Sequence, residues 1–345
     1  RLTLIISAKL RYLYCKRYCM KKEMNEHYTF ELLDNVTRTK VHFTNHFGIE
    51  LTGDVYAPKS AAKTGNAALA VCGPFGAVKE QASGLYAMHM ASRGFVALAF
   101  DPSYCGESGG VPRYMNSPDI NTEDFMAAVD FLSVQQNIDA EKIGIIGICG
   151  WGGIALNAAA ADPRIKATVA STMYDLSRVA AKGYNDASDN EESRHQMRKA
   201  VAKQRLVDAK SGTYALAGGV ADPLPDDAPQ FAKDYHAYYK TPRGYHERSL
   251  NSNDGWAVQA GSSLANTKLL AYVDEIRSAV MVLHGENAHS RYMGEDAFKS
   301  MTAASQYAAN KELVIVPGAS HCDLYDNLAK IPFEHIAEFF TANVQ

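Results

Sequence analysis

The sequence predicts an α/β protein in which helices cover both faces of a mostly parallel sheet. Continuous apolar runs of strand length, such as 67–72 and 94–100, alternate with segments of helical length. Buried parallel strands have this composition, and the alternation of strands and helices places such strands in one sheet. A third apolar run, 143–148, leads directly into a cysteine and a helix of small residues, and the functional prediction starts from this stretch.

The other elements follow in chain order. Alternation of apolar and polar residues predicts half-exposed antiparallel strands over 41–45 and 49–56. Further parallel strands are predicted from apolar runs over 165–170, 279–284 and 312–316. Helices are predicted over about 79–93, 122–136, 154–161 and 328–343.

The alternation divides the chain into a core and an insertion. Residues 27–175 and 273–345 carry it, so we predict that they form one core in two parts. Residues 176–272 contain no convincing central strand, and a structureless loop of that length is implausible; we therefore predict a mainly helical cap. Residues 1–26 are predicted to be a non-native, upstream-translated or frayed extension. Their apolar run precedes the basic residues, which is the reverse of a secretory signal.

Composition and charge are those of an ordinary globular protein. The 345 residues are 47% hydrophobic and 21% charged, and the formal net charge is −3. This balance gives no support for binding to nucleic acid or to a membrane surface. The six cysteines are scattered, and no downstream Cys/His pair completes a zinc pattern. We therefore expect no metal, and we expect free thiols in a cytoplasmic protein.

Cys149 stands where a predicted strand turns sharply into a helix, and it is the candidate nucleophile. Such a turn lifts the side chain at its apex above the sheet and requires small neighbours, which Gly147 and Gly150 provide. The usual pattern has a serine at the apex and a glycine two residues later, whereas this chain has Cys149 and Trp151. The alternative interpretation is a buried core thiol, because free cysteine is among the most buried residue types.

Other chemically active residues follow other predicted strands, at the edge of the sheet where ligands bind. His321 follows the last strand and is predicted to take the thiol proton. A carboxylate would orient this histidine. Glu286, behind the penultimate strand, is the first choice for that acid, and Asp175 is the alternative. The chain order of nucleophile, acid and histidine is that of a hydrolase triad.

Two backbone N–H groups and several aromatic residues complete the predicted site. We expect the N–H groups of Phe75, in a glycine-rich loop, and Gly150, at the start of a helix, to form an oxyanion hole. Trp151, Tyr238 and Tyr239 are predicted to line the substrate pocket. The aromatic residues of the insertion would suit the face of a homodimer equally well.

These motifs resemble those of the α/β hydrolases, and specifically of their dienelactone-hydrolase-like branch. The resemblance covers residues from about 40 to the C-terminus and is carried by the segments 73–81, 101–110, 147–153 and 318–325. It implies an α/β-hydrolase fold with a mostly parallel eight-stranded sheet, a triad of Cys or Ser with His and an acid, no cofactor, and esters, lactones or amides as substrates. The chain departs from this pattern at Trp151 and at Ala288, where the triad acid is usual.

The functional prediction is a hydrolase that cleaves a small-molecule carboxylic ester or lactone through an acyl-cysteine intermediate. Two alternatives share the same fold: cleavage of an amide or peptide, and acyl transfer to an acceptor other than water. A third alternative belongs to a different class, a non-catalytic binding protein in which Cys149 is a sensor thiol. The missing acid at position 288 favours this third alternative, whereas the turn at Cys149, the loop at Phe75 and His321 argue against it.

Overall fold

The predicted sheet is present, and it has eight strands in the order β1-β2-β4-β3-β5-β6-β7-β8. The computed structural model describes residues 26–303 and 305–344, so nearly all of the predicted extension over 1–26 lies outside the described residues. The strands are β1 Val36–Thr44, β2 Glu50–Pro58, β3 Asn66–Cys72, β4 Val96–Phe100, β5 Ile138–Ile148, β6 Ala167–Ser171, β7 Ala279–Gly285 and β8 Lys311–Val316.

Strand β2 is antiparallel to both of its neighbours, β1 and β4. The other six strands, β3 to β8, are paired in parallel. This matches the sequence pattern, because alternating residues form the two antiparallel strands at the edge and continuous apolar runs form the parallel strands. Strand β5 lies between β3 and β6, in the interior of the sheet, and all residues from Ile143 to Ile148 are buried or nearly so. The α/β-hydrolase fold predicted from the sequence is therefore confirmed.

Helices cover both faces of the sheet. Helices α1 and α10 pack on one face, and α2, α3 and α8 pack on the other, each face having its own apolar cluster. The helices are α1 Ala82–Ala91, α2 Pro118–Ser133, α3 Gly150–Ala161, α4 Leu176–Lys182, α5 Glu191–Ser211, α6 Gln230–Tyr239, α7 Gly261–Ala265, α8 Arg291–Thr302, α9 Asp323–Asp326 and α10 Phe333–Asn343.

Two helix predictions differ from the structure. The single last helix expected over about 328–343 is α10 alone, preceded by the separate short helix α9. Pro332 stands immediately before α10, and the residue before a proline is disfavoured in helical conformation, so the helix begins only after it. Helix α2 begins at Pro118, earlier than expected, because a proline is well tolerated in the first turn of a helix.

The segment predicted as a cap, 176–272, lies between the neighbouring strands β6 and β7 and contributes no strand to the sheet. It contains α4 to α7 together with short turns of 3₁₀ helix. Two of its helices begin at the side-chain caps typical of helix N-termini, Asp175 before α4 and Asn190 before α5. In the described ranges, none of the helices combines the length and the apolar composition that crossing a membrane requires.

Candidate active site

Cys149 occupies the sharp turn between β5 and α3. Its backbone has a φ of 59° and a ψ of −126°, and a positive φ is unfavourable for a residue with a side chain. The turn is held by backbone hydrogen bonds: the N–H of Cys149 donates to the carbonyl of Ser171 at 2.9 Å, and the N–H of Tyr174 donates to the carbonyl of Cys149 at 3.0 Å. Strain of this kind concentrates at functional sites, where the surrounding structure enforces it.

The positions of the glycines near Cys149 have no room for a side chain. A Cβ atom at Gly147 would overlap the backbone carbonyl of Trp151, and one at Gly150 would lie 2.8 Å from the Cβ of Phe75. Strand β5, helix α3 and the loop at Phe75 can approach one another only because these positions carry no side chain. The close approach also brings the N–H groups of Phe75 and Gly150 near the thiol of Cys149, where they act against the burial that raises its pKa.

A small, mainly apolar cavity of about 180 Å³ lies at Cys149. Its walls are Phe75, Leu176, Val220 and Asn251 together with three tyrosines, Tyr174, Tyr235 and Tyr325. Core and insertion both contribute, since Leu176, Val220, Tyr235 and Asn251 belong to the segment 176–272. None of the described residues that line this cavity carries a charge at neutral pH, so the cavity suits an uncharged, largely apolar group.

The insertion also positions the loop at Phe75. The side-chain amide of Asn251 donates to the carbonyl of Phe75 at 2.7 Å, and the hydroxyl of Ser249 donates to the carbonyl of Gly76 at 2.9 Å. The ring of Phe75 is stacked on Trp256, with centroids 4.1 Å apart. These contacts orient the N–H of Phe75 towards Cys149, where the negatively charged oxygen of a tetrahedral intermediate would form.

The thiol of Cys149 is protonated in the resting protein. Burial raises the pKa of Cys149 above its usual value, although hydrogen bonds from the hydroxyl of Tyr325, the N–H groups of Gly150 and Phe75, and the hydroxyl of Tyr235 act in the opposite direction. A nucleophilic role therefore requires a base that removes the proton during the reaction.

His321 lies in the loop between β8 and α9, and three hydroxyl groups surround its ring. Its Nε2 is 3.0 Å from the hydroxyl of Tyr325, and its Nδ1 is 2.7 Å from the Oγ of Ser290 and 2.9 Å from the Oγ1 of Thr172. Burial, reinforced by the nearby His289 and His284, holds the pKa of His321 well below its usual value. The imidazole is therefore neutral at neutral pH and is able to accept a proton.

Neither predicted acid, Glu286 or Asp175, is hydrogen-bonded to this histidine in the structure. Glu286 is exposed, and its carboxylate accepts the backbone N–H of Gly318 at 2.8 Å, which fixes the loop that leads to His321. Asp175 instead caps α4, where it accepts the N–H of Arg178 at 3.0 Å and the hydroxyl of Ser177 at 2.6 Å. Among the described residues, hydroxyl groups and not a carboxylate occupy the Nδ1 side of His321.

The three aromatic residues predicted to line the pocket do not line the cavity at Cys149. Trp151 is 1% exposed and packs edge to face on Phe125 in the core cluster on the α3 side of the sheet. Tyr238 and Tyr239 are 1% and 0% exposed and belong to the opposite cluster. The cavity is instead lined by other aromatic residues, above all Tyr235 and Tyr325. A large apolar residue in the first turn of a helix is more often buried in the core than in contact with a ligand, and Trp151 is buried in the core.

Sequence reasoning missed several residues that surround the two central side chains. Tyr325 lies four residues after His321, where the chain turns from the loop into α9, and this nearness in sequence was available as a signal. Thr172 and Ser290 carried no such signal, because they reach His321 from the ends of two other strands. Asn251 comes from the insertion, about 100 residues beyond Cys149 in the chain, and nothing in its local sequence indicates a catalytic neighbour.

Outside the cavity, His27, His246 and Glu247 bring possible metal ligands within 4.8 Å of one another. The two imidazole rings are stacked, with 10° between their planes, so an ion in the plane of one ring would lie out of the plane of the other. The Nδ1 of His246 also accepts the backbone N–H of Arg248 at 3.1 Å. As arranged, this group is a hydrogen-bonded cluster and not a metal centre.

Comparisons with known proteins agree with this fold. The chain is 53% identical over 320 residues to the uncharacterized protein PA2218 of Pseudomonas aeruginosa, covering 90% of this chain and 82% of that protein. It is 33% identical over 298 residues to the uncharacterized protein YcjY of Escherichia coli K12, covering 85% and 94%. A shorter match, 35% identical over 130 residues, joins it to the thiohydrolase aneE of Aspergillus aculeatus and covers 38% and 40%.

Two solved structures show the same architecture. The crystal structure of PA2218 superposes with a TM-score of 0.88 at 51% identity and covers 93% of this chain and 98% of that chain. The α/β hydrolase GrgF from a Penicillium species superposes with a TM-score of 0.72 at 20% identity, covers 89% and 99%, and is similar in fold.

The family assignment rests on a match that spans both parts of the core and the insertion. Residues 48–323 match the model of the X-Pro dipeptidyl-peptidase (S15) family. The matched range runs from β2 to the first residue of α9 and includes Phe75, Cys149 and His321. The chain is therefore an α/β hydrolase and belongs to the X-Pro dipeptidyl-peptidase (S15) family.

Proposed function

We propose that the protein hydrolyses a carboxylic ester or lactone with a small, uncharged acyl group through an acyl intermediate on Cys149. The observation that carries the proposal is the position of this thiol. It lies at a strained turn, at an apolar cavity, and is hydrogen-bonded to the N–H groups of Phe75 and Gly150. A thiol in this place has both a substrate site in front of it and an oxyanion hole beside it.

The chemistry proceeds in two halves. In the first, the thiolate of Cys149 adds to the carbonyl carbon, His321 holds the thiol proton, and the oxyanion lies against the N–H groups of Phe75 and Gly150. Collapse breaks the bond to the alcohol oxygen, which leaves with that proton. In the second half, water adds to the acyl-cysteine, and the acid is released as the thiol is restored. Each oxyanion-hole donor of this kind is worth about 3–4 kcal/mol in the transition state.

The lining of the cavity sets the substrate class. A cavity of 150 Å³ is about large enough for benzene, so the cavity of about 180 Å³ at Cys149 suits an acyl group of that size. A dipeptidyl-peptidase must recognise the charged N-terminal amine of a peptide, and a carboxylate is the natural partner for it. Among the described lining residues there is none. For this reason we do not transfer peptide cleavage, which the family's name indicates, to this chain.

A second class of substrate, acyl thioesters, is supported by the match to a thiohydrolase. Attack of a cysteine thiolate on a thioester exchanges one sulfur ester for another, so the leaving group is no worse than the nucleophile. We include small acyl thioesters in the proposal on this ground. The dienelactone-hydrolase-like branch suggested by the sequence stays a prediction.

The proposal is tested with p-nitrophenyl esters and acyl thioesters of two to twelve carbons, on the parent protein and Cys149→Ala. We expect hydrolysis of the short esters, loss of at least about 10³-fold in the variant, and an acyl adduct on the Cys149 peptide by mass spectrometry. Cys105→Ala is the matched control, since Cys105 is a buried free thiol outside the cavity. Activity that survives in Cys149→Ala would reject the proposed nucleophile.

Acyl-chain selectivity tests the cavity separately. The kcat/KM should fall by at least about tenfold from butyrate to dodecanoate esters, because the longer chain exceeds the cavity. Leu176→Ala removes part of one wall and should shift the optimum to longer chains, while the acyl adduct stays on Cys149. An unchanged chain-length profile in this variant would place the acyl group elsewhere.

A further inference from the structure

We infer that Tyr325 is a catalytic residue that carries a proton between the thiol of Cys149 and the imidazole of His321. The inference rests on the proposed function, in which Cys149 is the nucleophile and His321 is the base. It assigns to the tyrosine hydroxyl a step that a hydrolase triad normally makes by direct contact between nucleophile and histidine.

The first observation is the position of the hydroxyl between the two groups. It lies 3.0 Å from the Nε2 of His321. By hydrogen bonding it also acts against the burial that raises the pKa of the Cys149 thiol. Cys149 and Tyr325 line the same cavity, where a substrate carbonyl would be bound. The hydroxyl therefore adjoins both the imidazole that accepts the proton and the cavity that holds the thiol.

The second observation is that Tyr325 has little freedom to leave this position. Its side chain is fully buried, and its ring packs edge to face on Tyr238 with centroids 5.0 Å apart. The turn that leads from His321 into α9 sets the distance between the two residues, and within it the N–H of Tyr325 donates to the carbonyl of Cys322 at 3.1 Å. A hydroxyl held in this way is in place before substrate binds, which lowers the cost of using it in the reaction.

The hydrogen bonds of His321 indicate which nitrogen accepts the proton. The hydroxyl of Thr172 donates to the backbone carbonyl of His321 at 3.4 Å, so its oxygen is free to accept a hydrogen from Nδ1 at 2.9 Å. On this assignment the neutral ring carries its hydrogen on Nδ1, and Nε2 has the free lone pair. Tyr325 then donates to Nε2, and its oxygen accepts the S–H of Cys149.

This direction of hydrogen bonds gives a balanced transfer. As the Sγ of Cys149 bonds to the acyl carbon, its proton passes to the oxygen of Tyr325, and the hydroxyl proton of Tyr325 passes to Nε2 of His321. The tyrosine is neutral before and after the transfer. When the intermediate collapses, both protons move in the reverse direction and the alcohol oxygen receives one. The same route serves the attack of water on the acyl-cysteine.

The test uses Tyr325→Phe, which keeps the ring and removes the hydroxyl. We expect kcat/KM for a short ester to fall about 10²-fold, which is within the usual effect of a positioned proton-transfer group. We also expect alkylation of Cys149 by iodoacetamide at pH 7 to slow by about tenfold, with its pH profile moved to higher pH, because the thiolate loses a donor. Alkylation needs no substrate, so it tests the contact even if the proposed function is wrong.

Tyr56→Phe is the matched control. Tyr56 is a fully buried tyrosine of the same apolar cluster, on β2, and its hydroxyl has no hydrogen-bond partner in the described part of the chain. We expect both the ester rate and the alkylation profile of this variant to equal those of the parent. A thermal unfolding curve for each variant separates loss of the proton route from loss of the fold.

A measurement on the parent protein covers the case in which Tyr325→Phe does not fold. The ester rate is followed in mixtures of H₂O and D₂O; two protons moving together give a curved dependence on the deuterium fraction, and one gives a straight line. A straight line, or a Tyr325→Phe variant with the parent's rate and alkylation profile, overturns the inference and leaves Cys149 as the nucleophile. Loss of the proposed function has a different signature, namely activity that persists in Cys149→Ala.

Discussion

The Oγ of Ser290 lies 2.7 Å from the Nδ1 of His321, at the position where a hydrolase triad has a carboxylate. Ser290 precedes helix α8, directly beyond β7, and Thr172 reaches the same nitrogen from the end of β6. Two neutral hydroxyl groups thus orient the ring without stabilising its charged form. Burial, with the cations that His289 and His284 would form, holds the pKa of His321 well below its usual value, and the two hydroxyl groups bring no negative charge that would counteract it.

The first prediction follows from this substitution of a hydroxyl for an acid. Since the base must be neutral, the activity of the parent should be lost only as the pH falls well below the usual pKa of histidine. Ser290→Asp places a carboxylate beside Nδ1 and should raise the pKa of His321, moving the acid limb of kcat/KM about 1–3 pH units higher.

The control is Ser290→Ala, which removes the hydroxyl without adding a charge and should leave the acid limb at low pH. The measurement is the pH profile of short-ester hydrolysis for the parent and both variants. If the acid limb of Ser290→Asp stays where the parent has it, His321 is not the base.

The second prediction concerns His284, which is buried on β7 and has no hydrogen-bond partner for either ring nitrogen among the described residues. Burial, with the nearby Arg291 and His289, lowers the pKa of His284 to about 3. Below its ordinary pKa of about 6.5 the unfolded chain binds a proton that the folded protein does not. The free energy of unfolding must therefore decrease as the pH is lowered. Between pH 7 and pH 5, this one group decreases it by about 2 kcal/mol.

His284→Leu should remove that part of the acid sensitivity. The measurement is urea denaturation of the parent and the variant at pH 7 and at pH 5. His195→Leu, at an exposed position on α5, should retain the pH dependence of the parent. Equal pH dependence in His284→Leu and the parent would show that His284 is protonated as easily in the folded protein as in the unfolded chain.

The third prediction compares two glycines with opposite surroundings. An alanine at Gly147 would place its Cβ on the backbone carbonyl of Trp151, and neither β5 nor α3 can move away. We expect the free energy of unfolding to fall by about 2–3 kcal/mol or more. Gly261, in α7, has nothing within 4 Å of an added Cβ, so Gly261→Ala should be neutral or stabilise by up to about 1 kcal/mol. Chemical denaturation measures both, and a Gly147→Ala variant as stable as the parent would refute the steric argument.

The fourth prediction concerns Lys79, a buried lysine that follows the loop at Phe75 in the chain. Lys79 is completely buried; its Nζ is 2.6 Å from the carboxylate of Glu107 and 3.6 Å from that of Asp101, and it also contacts Glu80. Lys79→Met removes the cation that these carboxylates share: Asp101 loses its ion pair with Lys79, whereas Glu107 still contacts Lys40 and Glu80 still contacts Arg248. The free energy of unfolding should fall by about 3–5 kcal/mol.

Lys63→Met is the matched control, because Lys63 is exposed and its loss should change stability by no more than about 0.5 kcal/mol. Thermal or urea unfolding of the two variants measures the difference. A Lys79→Met variant that is as stable as Lys63→Met would mean that the carboxylates are accommodated without the lysine.

Much of the fold could be read from the sequence because it depends on local composition. The apolar runs became the parallel strands, and the alternating runs became β1 and β2. The positions of Cys149 after β5 and of His321 after β8 follow from glycine spacing and strand ends. Where the prediction of elements was wrong, at the last helix, the cause was again local, namely Pro332.

The hydrogen-bond partners of His321 depend on the tertiary structure. Three residues close in space to His321, namely Thr172, Ser290 and Tyr325, come from different strand ends and a helical turn. Glu286 follows the neighbouring strand β7, yet its carboxylate is turned to the backbone of Gly318. A hydrogen bond forms only when donor and acceptor lie within a few tenths of an ångström of the ideal distance. The place of a residue after a strand does not define the position of its polar atoms with that precision.

The sequence by itself therefore determined the sheet, the turn that presents Cys149 and the loop that carries His321, since each is encoded by residues that are neighbours in the chain. Only the packing of the strand ends and of the turn before α9 decided that the hydroxyl groups of Thr172, Ser290 and Tyr325 surround His321. The physical reason is the distance along the chain over which each feature is determined. Backbone conformation depends on a few neighbouring residues, whereas hydrogen bonds between distant segments depend on how the whole core packs.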